Sequence, residues 1–153
     1  MLILAGALAA LAGCGSDEAP ETPSACLGPA ADYLAALGDA PGEVRLAGTT
    51  PISDCVVEEQ ASGALQTVGK SVIDAASALN RQVHRDPGSE AAVQLGYLVG
   101  SVQEGAASTG GIHEDLVLRL DSAARYTGPD GKPFPAAFER AYGQGYAAGQ
   151  ESG

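Results

Sequence analysis

The chain has 153 residues, with 19 acidic against 8 basic side chains and a formal charge of −11. The length fits one domain able to bury a real core. The acidity argues against nucleic acid as a partner and against electrostatic attachment to anionic lipid; its plainest role is solubility.

The first element is an apolar run, Leu2 to Ala12, with no charged residue before Cys14. A short apolar segment ending in small residues reads as a secretory signal. It is too short to span a bilayer, which needs roughly 20 apolar residues, and Gly15-Ser16-Asp17-Glu18 ends it. Leu11-Ala12-Gly13-Cys14 resembles the lipobox of bacterial lipoproteins, and the resemblance covers residues 1–14 only. It implies that residues 1–13 are a signal peptide and that the Cys14 thiol is diacylated and becomes the N-terminus. The protein would then be exported and anchored to the outer face of a bacterial membrane by its acyl chains, two of which hold stably where one is marginal. Without the cysteine, the same run would still read as an ordinary secretory signal.

With Cys14 assigned to lipid, Cys26 and Cys55 remain. In an oxidising compartment such a pair is expected to cross-link, tying a short helix near residues 29–37 to the start of a long one. No CxxC or Cys/His spacing suggests a metal. Residues 14–25 are expected to be the lipidated cysteine and a flexible acidic tether, being polar and proline-bearing, and residues 26–153 the folded domain.

Pro29 to Leu37 predicts a short helix ended by Gly38. Residues 38–50 read as a loop, with Val44-Arg45-Leu46 as a brief extended piece. Thr50-Pro51 predicts the start of a long helix to about Arg85. Its stripe runs Val57, Ala61, Leu65, Val68, Val72, Ala76, Leu79 and Val83, with Gly63 or Gly69 as the place for a kink. Asp86-Pro87 opens the next helix, with Ala92, Leu95, Val99, Val102 and Ala106 inward. A third runs from Ile112 to Tyr126, with Ile112, Leu116, Leu120 and Ala124 inward. Residues 127–133 are turn-rich, and a last helix spans Pro135 to Gln150. No strand alternation of useful length appears. The fold class is all-α: a bundle of four main helices plus one short N-terminal helix, stapled by one disulfide.

Gly96 with Gly100 and Gly145 with Gly149 give small residues at four-residue spacing. They serve either close helix packing or a groove for a partner. With Tyr97, Phe138, Tyr142 and Tyr146 they form the candidate binding surface. His84 and His113 sit at expected helix ends and read as exposed or capping. His113-Glu114-Asp115 lacks the second histidine a zincin needs, and no GxSxG or SxxK is present. Paired carboxylates such as Glu58-Glu59 read as solvated. No catalytic residue, metal or cofactor is assigned. The expected function is a lipid-anchored cell-envelope binding or interaction module, with an envelope protein or a small apolar ligand as partner. An envelope hydrolase with an unrecognised site and a structural envelope spacer are the alternatives.

Overall fold

The structure is a computed structural model and describes residues 21–126 and 134–153. Cys14, most of the tether and the 127–133 turn lie outside the described residues. Five α-helices form: α1 (Ala30–Ala36), α2 (Ser62–Val83), α3 (Glu90–Ala107), α4 (Glu114–Ala124) and α5 (Ala136–Ser152). The fold is therefore the all-α bundle expected, four main helices and one short one. Among the described residues the only β-pairing is an isolated bridge between Leu46 and Thr50, and no helix is long and apolar enough to cross a membrane.

α3 is the central helix. It carries no charged side chain between Glu90 and Glu104, and every residue from Leu95 to Val102 is buried. A helix apolar on all sides must be surrounded, and α2, α4 and α5 all pack on it. α2 and α4 are amphipathic. α2 buries Val68, Val72, Ala75, Ala76, Leu79 and Val83, and α4 buries Leu116, Leu120 and Ala124. Ile112, expected to face inward, is 51% exposed, because it precedes α4 in a turn entered through the positive-φ residues Gly110 and Gly111. The Asn80 amide of α2 donates to the carbonyls of Ala123 (2.9 Å) and Arg125 (3.1 Å), satisfying acceptors that the end of α4 leaves open.

α5 meets α3 through glycine. A Cβ at Gly96 or Gly100 would collide with the carbonyl oxygen of Tyr142 or Tyr146. A Cβ at Gly145 or Gly149 would collide with that of Val93 or Tyr97. Main chain thus lies on main chain, and only glycine permits that approach. Arg45 closes the far end of α5 by donating to the Ser152 carbonyl at 2.9 Å.

Cys26 and Cys55 are disulfide-bonded, with Cα atoms 5.3 Å apart. The bridge joins two 3-10 turns, Ser24–Leu27 and Ser53–Cys55, not the start of the long helix as expected. Thr50-Pro51 does not open α2. Thr50 pairs with Leu46 in both directions (2.8 and 3.0 Å), and Ile52, Cys55 and Val56 are drawn into the core. With Thr50 paired to Leu46 and Cys55 cross-linked within a three-residue 3-10 turn, Val56 is extended and α2 begins at Ser62. From there α2 runs through Gly63 and Gly69 without division.

Candidate functional site

The eight predicted surface residues all fall on α3 and α5, but most are not surface. Gly96, Gly100, Gly145 and Gly149 are buried in the seam. The four-residue glycine spacing therefore serves close helix packing, and no groove opens at it. Tyr97 is fully buried, its hydroxyl accepting from the Val44 amide at 3.4 Å. Phe138 is 6% exposed and stacks on Tyr126 (4.9 Å) and Phe134 (5.5 Å). These rings hold the beginning of α5 against the end of α4. Tyr142 and Tyr146 alone remain half-buried, their rings 6.2 Å apart on successive turns of α5.

α4 packs on α3, and beside the turn that joins them lies a depression of about 420 Å³ walled by Ala106, Ala107, Val117 and Leu118, with Glu114 at its rim. Leu118 is 68% exposed there. Gln103 lines it from α3, and its amide nitrogen donates to Asp121 Oδ1 at 3.0 Å. Tyr146 Oη donates to Gln103 Oε1 at 2.5 Å and accepts from Gln150 Nε2 at 3.1 Å. A carboxylate only accepts, so Asp121 fixes which way the Gln103 amide points. Burial pushes the Tyr142 phenol up to about 12, and the charges of Asp121 and Tyr146 add to the shift. An apolar concavity ending in a few convergent polar groups has the anatomy of a small-molecule site.

Three larger depressions suit this less well; that of 460 Å³ beside Gly28 and Pro29 is bordered by the polar side chains of Gln66, Thr67, Lys70 and Ser71. The 630 Å³ cleft between α2 and α4 includes Lys70, Asp115 and Arg119 in its lining, and both cations are already paired, with Asp74 and Asp115 respectively. The 560 Å³ depression beside the disulfide is bordered by four carboxylates, Glu21, Asp54, Glu58 and Glu104.

The histidines divide. His84 is exposed, as expected, and its ring lies tilted against Tyr126, with centroids 4.9 Å apart. His113 is not exposed: it is 1% accessible, with Nδ1 2.9 Å from Thr109 Oγ1 and Nε2 2.8 Å from Gln60 Oε1. The residue precedes α4, and the turn folds its ring inward under the 56–61 segment. Burial lowers its pKa. Glu58, Glu59 and Glu114 are solvated, and Asp115 pairs with Arg119 at 2.9 Å on the surface. Among the described residues no three metal-binding side chains cluster.

Gln103 and Asp121 were not singled out from sequence, because each looks like an ordinary polar position on an amphipathic helix. The available signal was spacing. Tyr142, Tyr146 and Gln150 recur every four residues, as do Val117 and Asp121, so each set shares one face. No protein-family model, curated protein sequence or solved structure matches the chain.

Proposed function

We propose that this chain is a lipid-anchored cell-envelope binding module, held to the outer face of a bacterial membrane through Cys14 and capturing an amphipathic ligand between α3 and α4. One observation carries the reading: the walls of Ala106, Ala107, Val117 and Leu118 meet Gln103, whose amide is held by Asp121 and Tyr146. Such a site offers apolar area for affinity and a fixed polar group for orientation. Its lining carries one titratable side chain, the exposed Glu114, and so offers little acid–base chemistry. The resemblance at residues 11–14 supports the location, and the disulfide fits an oxidising compartment.

The test uses an uncharged apolar fluorophore, N-phenyl-1-naphthylamine, titrated into the purified chain. Emission should rise on binding, and Leu118→Glu should lower the affinity at least about tenfold by placing a charge in the groove. Equal binding by Leu118→Glu and the unaltered chain would defeat the groove as the site.

A further inference from the structure

The chain leaves the bundle towards Cys14 at one end of the cleft between α2 and α4. Gln60 Nε2 donates to Thr22 Oγ1 at 2.9 Å, and Gln60 Oε1 meets His113 Nε2 at 2.8 Å. Ser62, two residues after Gln60, and Ile112, the residue before His113, both line that cleft. Thr22 is eight residues from Cys14, and eight extended residues reach at most about 29 Å. α2 has 22 residues, which makes it about 33 Å long. With Cys14 in a bilayer, a tether shorter than α2 does not let the domain stand on its far end.

Apolar side chains are open to water at the exit. Ile112 is 51% exposed, and Leu65 and Ile73 are partly buried along the cleft that begins there. The local charges also differ from those of the chain as a whole. Lys70 and Arg119, two of eight basic residues in a chain of charge −11, border the cleft. Each pairs with a carboxylate one turn away on its own helix, Asp74 and Asp115 respectively. Exposed pairs of this kind are worth little. Either cation can therefore exchange its carboxylate for a lipid phosphate while its stem lies on apolar surface. Asp115 is the one carboxylate in this lining, whereas four border the depression beside the disulfide.

We infer that the cleft between α2 and α4 is the face this domain lays on the bilayer that holds Cys14, with Ile112 entering the headgroup region and Lys70 and Arg119 at the level of the lipid phosphates. The inference rests on the lipid anchor and adds the orientation of the domain above it. Three observations select a lipid surface as the occupant: where the chain exits, the exposed isoleucine beside that exit, and the balance of charge around the cleft. The contact is apolar and intramolecular. An acidic chain has no general attraction for lipid, and the tether supplies the local concentration that a few side chains alone would not.

The chain has no tryptophan, so a single one introduced by substitution reports its own surroundings. The full lipidated chain carrying Ile112→Trp is reconstituted into phosphatidylcholine vesicles with brominated acyl chains, which quench on contact. Gln66→Trp, exposed on the α2 side of the cleft, is a second reporter, and Gln144→Trp, exposed on α5, is the reference. Both cleft reporters should be quenched at least about threefold more than the reference. The difference should persist at about 0.5 M salt, where charges are screened within about 4 Å. Gln66 is solvated, so its reporter stands even if Ile112→Trp folds poorly. Cleft reporters quenched no more than the reference, on chains that float with the vesicles, would overturn the docking face and leave the anchor standing. Quenching that vanishes in salt would assign the contact to charge and overturn the inference. A blue shift without quenching would place protein on the cleft, a second copy of this chain included, and overturn it as well. A chain that does not float with the vesicles would overturn the anchor and this inference together.

Discussion

His113 Nε2 lies 2.8 Å from Gln60 Oε1, and this contact fixes the tautomer of the ring. The Gln60 amide nitrogen donates to the Cys55 carbonyl (2.8 Å) and to Thr22 Oγ1 (2.9 Å), so its oxygen is an acceptor. Nε2 therefore carries the hydrogen in the neutral ring, and Nδ1, 2.9 Å from Thr109 Oγ1, competes with the Ala106 carbonyl (2.7 Å) for the single hydroxyl hydrogen of Thr109. One imidazole thus joins the α3–α4 turn, the disulfide segment and the chain leading back towards Cys14.

Acid should loosen this junction. Burial lowers the folded-state pKa of His113 below its ordinary value, so the unfolded chain binds the proton more readily. The stabilising contribution is complete above the unfolded pKa near 6.5 and is lost as pH falls through that value towards the folded one. Urea midpoints measured between pH 7.5 and 5 should fall with pH more steeply in the unaltered chain than in His113→Gln. At pH 7.5, His113→Ala should cost about 2–4 kcal/mol, because it opens a cavity and leaves Gln60 Oε1 without its donor. Parallel pH profiles for the histidine and glutamine forms would refute the assignment.

Two glycines of α5, two residues apart, should respond oppositely to alanine. At Gly145 the new Cβ meets the Val93 carbonyl, a backbone atom of a packed helix that cannot step aside. Gly145→Ala should lower stability by about 2–4 kcal/mol, visible as a fall in melting temperature. At Gly143 a Cβ meets nothing within 4 Å, so Gly143→Ala should stabilise by up to about 1 kcal/mol through helix propensity. Equal melting temperatures for the two variants would contradict the seam.

Reduction of Cys26–Cys55 should matter in proportion to the loop it closes. With a sequence separation of 29, the chain-entropy estimate is about 3.6 kcal/mol. Chemical denaturation with and without reductant should differ by about 2–4 kcal/mol. A difference under about 0.5 kcal/mol would mean that the core alone holds the two turns together.

Lipidation is tested at its own residue. Expressed in a bacterial host fed labelled fatty acid, the chain should incorporate label, and Cys14→Ser should abolish it. Equal incorporation by both forms would remove the anchor from the functional reading.

The helix content was legible where one side of a helix is buried and the other solvated. The Val68–Val72–Ala76–Leu79–Val83 stripe and the Leu116–Leu120–Ala124 stripe both lie where their spacing puts them. What misled was local chemistry overridden at a distance. Thr50-Pro51 has every mark of a helix start, yet Thr50 pairs with Leu46 and the cross-link holds Cys55 in a 3-10 turn. His113 carries a polar label, but its partners Gln60 and Thr109 come from different parts of the chain, and nothing in the 113–115 triplet announces them. The candidate site was not legible. Tyr142 and Tyr146 stood out as aromatic residues among glycines but do not line the depression, whereas Gln103 and Asp121 acquire meaning only when α3 and α4 bring them within 3.0 Å.

The glycine seam has a consequence for how this protein varies. Because α5 is seated by its main chain, at 145 and 149, a change of side chain at either position moves backbone against backbone, with no rotamer to absorb it. The exposed positions of the same helix, such as 143, 144 and 147, stand clear of that contact. A lineage that keeps the four glycines of the seam is free to vary the outer face of α5 without relearning how to fold.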